Sequence, residues 1–339
     1  MARVKRDAPG ARAWQNCRMV QELEKPKLRR GAAPENAWAF FQGKFVPLAE
    51  AKVGVMNHTF NYGTGCFEGI RAYWNDDEKQ LYGLFLKEHY DRLLRSCRIL
   101  KTPLPHTAQE MVEITIELLR RCAYLGDAYV RPIAYKPDEI IGVRLHDLDS
   151  AFTVFAVPFG NYIDTENGLK VAVSSWRRTD DNAITARAKI TGSYVNAALA
   201  TTDAHESGYD EAIVLSQDGH VSEGSAENFF MVRDGILTTP PASDNILEGI
   251  TRWSVLQIAK DEGIPTEIRS IDRTELYICD EIFLTGTGAQ ISPVTNVDHR
   301  PVGDGKFGPI TRRIKDIYWN AVRAKLPRYR SWVTPIYPK

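Results

Sequence analysis

Two Asp-Gly pairs, Asp218-Gly219 and Asp234-Gly235, constrain this chain more than any other feature, because each stands between runs that read as strands. Asp-Gly readily adopts the left-handed backbone of a tight hairpin, so EAIVLS (211–216), NFFMV (228–232) and GILTT (235–239) are expected in antiparallel sheet. LKVAVSSW (169–176) reads as a strand before them, with further strands near 266–270 and 281–285. Helices are expected at 193–206, 251–262 and 308–325, the second closed by Gly263. Strand and helix do not alternate regularly here, which disfavours a doubly wound dinucleotide fold.

The preceding half is mixed. WAFFQGKFV (38–46) reads as a hairpin turning at Gln42-Gly43. Tyr90, Leu93, Leu94, Cys97 and Leu100 recur at helical spacing over 87–100, as do Met111, Ile114, Ile116 and Leu118 over 111–119. AYVRPIAY (128–135) and AFTVFAVPF (151–159) are strand-like. Pro158, Gly160, Asn161 and Gly168 then punctuate the chain. The expectation is an α+β chain with a smaller α/β domain over 36–158, an interdomain loop over 159–168, and a larger domain with an antiparallel-rich sheet or barrel over 169–339. Residues 1–35 hold nine Lys/Arg against four Asp/Glu without an apolar period and read as a disordered basic leader. Met19 opens a stretch running smoothly into the domain, so residues 1–18 are expected to be an over-extended start; native N-terminal sequencing tests that.

Composition removes several function classes. Forty-three basic and forty-three acidic residues cancel, so no net field favours nucleic acid or an anionic membrane. Five scattered cysteines form no C-x-x-C pair and read as reduced thiols of a cytoplasmic protein. No apolar run approaches the roughly 18 residues of a membrane span. There is no P-loop, no H-E-x-x-H to suggest a metal site, and Glu223-Gly224-Ser225-Ala226-Glu227 departs from the G-x-S-x-G nucleophile elbow.

Three glycine-containing turns could present backbone amides to an anion: Tyr62-Gly63-Thr64-Gly65, Leu247-Glu248-Gly249-Ile250-Thr251 and Thr285-Gly286-Thr287-Gly288. Thr251 sits where a helix begins, and local pattern leaves it as either part of a phosphate cup or simply the helix cap. Lys189, in ARAKITGSYVNAAL, is flanked by small and apolar residues. A desolvated lysine there suits Schiff-base chemistry; an ordinary surface lysine at a helix start suits the same pattern.

Eight motifs in order carry a resemblance: YGTGCFEGIR (62–71), KEHYDRL (87–93), AYVRP (128–132), VSSWRR (173–178), AKITGSYVN (188–196), VSEGSAENFF (221–230), LEGITR (247–252) and TGTGAQISPV (285–294). Together they resemble the bacterial branched-chain aminotransferases, within the fold-type IV pyridoxal-phosphate enzymes, from about residue 37 to 324. The resemblance implies that Lys189 carries pyridoxal 5'-phosphate as a Schiff base and shuttles a proton at the substrate Cα. It implies that Glu223 faces the pyridine nitrogen, Tyr194 contacts the ring oxygen, and Leu247 lies against the ring. Arg92, Ile250, Thr251 and Thr287 would cradle the phosphate.

For substrate, the resemblance implies that Phe67, Tyr62 and Tyr129 wall an apolar pocket. Arg131 and the Tyr62 hydroxyl would receive the distal carboxylate of glutamate, and Thr287 and Gly288 amides the α-carboxylate. Tyr162 would be donated to a neighbouring subunit, implying a homodimer or higher oligomer. The sequence departs from the family in Phe159, where a tryptophan is frequent, in the 137–149 loop and in residues 1–35. The expected reaction is reversible amino transfer between L-leucine, L-isoleucine or L-valine and 2-oxoglutarate. R-selective amine or D-amino-acid transamination, or an aminodeoxychorismate-type lyase reaction, are the rivals on the same fold.

Overall fold

The computed structural model describes residues 33–34, 37–160 and 168–338. The leader over 1–35 and the Met19 start lie almost wholly outside the described residues, as do Tyr162 and most of the 159–168 loop.

A first sheet contains β1 (Trp38–Phe41), β2 (Lys44–Pro47), β3 (Cys66–Phe67), β4 (Ile70–Asn75), β5 (Gln80–Leu84), β6 (Ala128–Tyr135) and β7 (Ala151–Pro158). The β1–β2 turn is the expected one, with Gln42 at φ 50° and Gly43 at φ 77°. Helix α1 (His58–Tyr62) is too short to leave a periodicity; Asn57 Oδ1 caps it by accepting the Phe60 N–H, and Gly63 ends it in the left-handed region. Helices α2 (Leu86–Ile99) and α3 (Ala108–Cys122) bury the apolar positions read from the sequence, Tyr90, Leu93, Cys97, Met111 and Leu118 among them. Thr107 and Glu110 close a capping box on α3, worth about 1 kcal/mol.

The second sheet runs through β8 (Leu169–Arg177), β9 (Glu211–Leu215), β10 (Val221–Gly224), β11 (Asn228–Arg233), β12 (Ile236–Thr239), β13 (Thr266–Ile268), β14 (Glu281–Gly286), β15 (Gln290–Val297) and β16 (Arg300–Pro301), in the order β10-β9-β8-β15-β14-β11-β12-β13 with β16 on β15. Both Asp-Gly hairpins form, β9 with β10 and β11 with β12. The β8–β9, β8–β15 and β12–β13 pairs are parallel, made by crossovers that hairpin signals cannot reveal. An isolated bridge from His220 to Asp272 ties the β10 edge to the segment after β13, so the strand path curls back on itself. Helices α4 (Tyr194–Glu206), α5 (Ile250–Asp261) and α6 (Pro309–Val322) complete this part. The α+β fold class stands.

One boundary is corrected. The C-terminal end was expected wholly within the second domain, yet β17 (Val333–Pro335) pairs antiparallel with β5 at the edge of the first sheet. Gln80 Nε2 donates to the Tyr337 carbonyl and Tyr337 N–H donates to Gln80 Oε1, both at 2.8 Å, extending that seam. A three-residue run holding a proline does not look like a strand; it is tolerated because the edge position leaves one side of the ladder unpaired.

Candidate active site

A cavity of about 430 Å³ is lined by Phe67, Tyr129 and Arg131 on strands of the first sheet, by Glu223 on β10 of the second, and by Lys189, Tyr194, Leu247 and Thr251 on the loops and helices beside it. The two halves are joined backbone to backbone. Phe67 N–H donates to the Lys189 carbonyl at 3.0 Å, Thr191 N–H to Gly65 at 2.9 Å and Gly192 N–H to Gly63 at 3.1 Å. Glycine is required for this approach: Gly63 has φ +65°, and a Cβ there would stand 2.8 Å from Gly192 Cα. The lysine's own N–H donates to Ser96 Oγ on α2 at 3.3 Å. Its backbone is therefore held at both its carbonyl and its N–H by the first part of the chain, through β3 and α2, while its side chain stands in the cavity. There the Nζ donates to Tyr194 Oη and lies 5.2 Å from the Phe67 ring centroid.

Glu223 occupies β10 just past an irregularity in the pairing with β9, a displacement that re-aims a side chain. Its Oε1 stands 2.9 Å from Arg178 Nη2. Its Oε2 accepts from Leu247 N–H at 3.0 Å and Asn228 Nδ2 at 3.2 Å. Burial pushes the carboxyl pKa upward, opposed first by the Arg178 charge and then by the Leu247 N–H. Asn228 also donates to the Leu247 carbonyl at 2.8 Å, fixing the turn before α5. Gly249 in that turn is enforced, since a Cβ would fall 1.8 Å from Asn228 Oδ1.

The start of α5 bears on the choice between cap and anion site that the sequence left open. Gly249 is the cap residue and no side chain caps the helix. Thr251 is buried at the second helical position, so the reading of it as the cap is overturned. First-turn N–H groups have no helical acceptor and carry the positive end of the helix dipole. Arg92 reaches the same place from α2, its Nη1 donating to the Glu248 carbonyl at 3.0 Å. Ile250 and the β14–β15 hairpin tip, with Thr287 and Gly288, line the cavity as well. Thr285 Oγ1 beside them is buried without a hydrogen-bond partner among the described residues.

Arg131 donates from Nε at 3.1 Å and Nη2 at 2.7 Å to Tyr129 Oη, and its guanidinium lies 4.4 Å over the Phe67 ring. A Cβ at Gly69 would come 2.3 Å from that Tyr129 hydroxyl, so glycine makes room for the pair. Phe159 also lines the cavity. Among the described pocket candidates Tyr62 does not line its own chain's cavity; it ends α1, which Gly63 closes in the left-handed region. Its hydroxyl instead accepts the Gly142 N–H at 3.0 Å and its ring rests 4.7 Å from that of His58. Sequence reasoning passed over Arg178, Asn228, Glu227 and Glu68, although each lies inside or beside a motif that drew attention. Their signal is burial of charged or polar groups, which only packing discloses.

The family profile described as amino-transferase class IV matches residues 65–297. The chain belongs to the class IV amino-transferases. Within this family it is 50% identical to a probable branched-chain-amino-acid aminotransferase of Aquifex aeolicus, over 89% of this chain and 97% of that protein. A crystal structure of a branched-chain aminotransferase from Thermoproteus uzoniensis with norvaline superposes with a TM-score of 0.85 at 44% identity, covering 88% of this chain and 99% of that one. The branched-chain amino acid aminotransferase from Thermobaculum terrenum in its PLP form gives 0.86 at 35% identity, covering 90% and 100%. Class IV aminotransferase membership makes the chain a transaminase, and its motifs are the parts of the sequence that build the seam and the cavity.

Proposed function

We propose that the chain is a pyridoxal-phosphate-dependent branched-chain amino-acid aminotransferase, moving an amino group reversibly between L-leucine, L-isoleucine or L-valine and 2-oxoglutarate. One observation carries the reading: a single cavity presents the Lys189 amine on Tyr194, the buried Glu223 carboxylate, and an uncapped helix N-terminus beside Arg92. The solved relatives, one with norvaline and one in its PLP form, support it.

The residues fit the cofactor. Arg92, the N–H groups of Ile250 and Thr251, and Thr287 would hold its phosphate; the unpartnered Thr285 hydroxyl marks the same wall as one that expects a polar ligand. Glu223 would accept a hydrogen bond from the ring nitrogen, Tyr194 Oη would meet the ring oxygen, and Leu247 would lie against the ring. Bound there, the ring supplies an electron sink for the pair left when the substrate Cα–H bond breaks. Lys189 Nζ would take up the Cα proton and give it back on the far side of the substrate nitrogen, with Tyr194 keeping the amine oriented. Transfer proceeds in two half-reactions, the second substrate entering after the first product leaves.

Phe67 and Tyr129 supply the apolar wall for a branched side chain. Arg131, swung off the Tyr129 hydroxyl, offers a charge for the distal carboxylate of glutamate. The Thr287 and Gly288 amides receive the α-carboxylate, so no cation has to be neutralised when the substrate is apolar. We assign a homo-oligomeric, cytoplasmic form: Val55, Phe60, Ile141 and Val143 are exposed large apolar side chains on α1, its approach and the loop bonded to it. Tyr162, outside the described residues, is proposed on the resemblance alone as the tyrosine donated to the neighbouring subunit.

Reconstituted protein should show a visible absorption band that Lys189→Ala removes, together with activity on L-leucine. A wild type that stays colourless with pyridoxal phosphate, or that acts only on D-alanine and R-1-phenylethylamine, rejects the proposal.

A further inference from the structure

Two motifs of the sequence, KEHYDRL and YGTGCFEGIR, contribute more than the residues assigned above. Glu68, between Phe67 of β3 and Gly69, is fully buried. Its Oε1 accepts from Arg92 Nε at 2.7 Å and its Oε2 from Arg92 Nη2 at 2.8 Å, a two-point clamp on the guanidinium. His89, one helical turn before Arg92 on α2 and also buried, places Nδ1 2.7 Å from the same Oε2. None of the three is paired with solvent-facing charge; they form one buried cluster at the edge of the cavity.

The donors can be counted. A guanidinium has five N–H groups. Two go to Glu68 and one, on Nη1, goes to the Glu248 carbonyl. One N–H on each terminal nitrogen remains, and a phosphate accepts from such a pair in a single plane. Glu68 takes the side of the fork away from that pair. Glu248, immediately before the α5 cap, binds the third direction, so Arg92 and the helix N-terminus are registered to one another.

The His89 ring fits the same purpose. Burial, the largest influence, holds its pKa below the ordinary histidine value against the pull of Glu68, so the ring is neutral and Nδ1 carries the hydrogen given to the carboxylate. Burial alone would raise the Glu68 pKa, yet Arg92 and His89 bring it well below the usual carboxylate range. The Arg92 charge and the His89 hydrogen bond thus favour the ionised form of the carboxyl that holds the guanidinium.

We infer that Glu68, backed by His89, is the positioning residue that aims Arg92 at the phosphate of the ligand. This rests on the reading of the α5 end as a phosphate site. It predicts selectivity rather than general damage. Removing the clamp weakens binding of a phosphorylated ligand and leaves binding of its unphosphorylated counterpart alone.

The experiment titrates apoprotein with pyridoxal phosphate and with pyridoxal, following intrinsic fluorescence and the visible band. Glu68→Gln keeps the shape but loses the charge; affinity for pyridoxal phosphate should fall at least about tenfold, while that for pyridoxal changes less than about twofold. Equal loss for both ligands, or loss for neither, overturns the inference. Should Glu68→Gln not yield folded protein, Glu68→Asp draws the guanidinium back by one methylene and should lower the same affinity ratio; an unchanged ratio overturns the inference. A wild type that does not distinguish the two ligands would sink the phosphate-site reading itself, which separates the two failures.

Discussion

At the α5 end of the cavity a guanidinium faces inward with a carboxylate behind it, Arg92 on Glu68; at the β10 end a carboxylate faces inward with a guanidinium behind it, Glu223 on Arg178. Both ends solve the same physical problem, since an ion taken out of water needs an opposite charge and hydrogen bonds within reach. They differ in how tightly the supporting partner binds. Glu68 receives two guanidinium nitrogens and His89, and its pKa lies below the ordinary carboxylate value. Glu223 receives one guanidinium nitrogen, an amide N–H and a carboxamide, and burial carries its pKa upward. The first pair is an anchor with its charges fixed. The second leaves a carboxylate with raised proton affinity, which suits the ring nitrogen proposed as its partner.

The largest effect should come from breaking the inward carboxylate. Glu223→Gln should reduce the single-turnover rate with L-leucine by about 10²–10³-fold, as for loss of one preorganised electrostatic contact, with cofactor affinity much less altered. If cofactor affinity fell as far as the rate, Glu223 would be an anchor and the contrast between the ends would dissolve. Breaking the inward guanidinium should do the reverse. Arg92→Lys replaces a planar fork with a point charge that cannot meet Glu68, Glu248 and a phosphate together; the cofactor dissociation constant should rise about tenfold to a hundredfold, with the rate at saturating cofactor nearly preserved. Equilibrium dialysis and stopped-flow measurements on the same preparation separate the two.

The smallest effect sharpens the comparison with a third carboxyl. Glu227 is buried on the same cavity wall and makes no salt bridge among the described residues. Burial first, then the Glu211 carboxylate nearby, raises its pKa. A folded-state pKa above the unfolded one means that the unfolded chain releases the proton first as pH rises, so apoprotein stability declines from the ordinary carboxylate value upward. Glu227→Gln removes that slope. Thermal unfolding of the apoprotein between mildly acidic and mildly alkaline pH should be flatter in the variant, by on the order of 1 kcal/mol. An unchanged slope would show that Glu227 ionises as freely as an exposed glutamate.

Local chemistry was legible where it acts over a few residues. Asp234 at φ 53° and Gly235 at φ 77° adopt the conformations that their types favour, and the strands they join follow. Helix α3 was visible over 111–119 because its apolar positions recur at helical spacing, while its start at the Thr107–Glu110 box was not read. The β4–β5 hairpin escaped notice because its turn lacks glycine: Asn75 Oδ1 accepts from the Asp77 and Glu78 N–H groups instead. Arg178 escaped notice for a different reason. Beside Arg177, which is exposed, nothing local distinguishes the arginine that pairs with Glu223.

By itself the amino-acid sequence determined the hairpins that turn on glycine and the longer helices, since turn conformation and periodicity are properties of neighbouring residues. Tertiary structure alone decided which charges become partners. Glu68 and Arg92 are 24 residues apart and Arg178 and Glu223 are 45 apart in the numbering, yet each pair meets within 2.9 Å. Packing likewise gives the Tyr62 hydroxyl to the Gly142 N–H, outside its own chain's cavity. Burial sets the proton affinity of a carboxyl, and burial is a property of the packed whole.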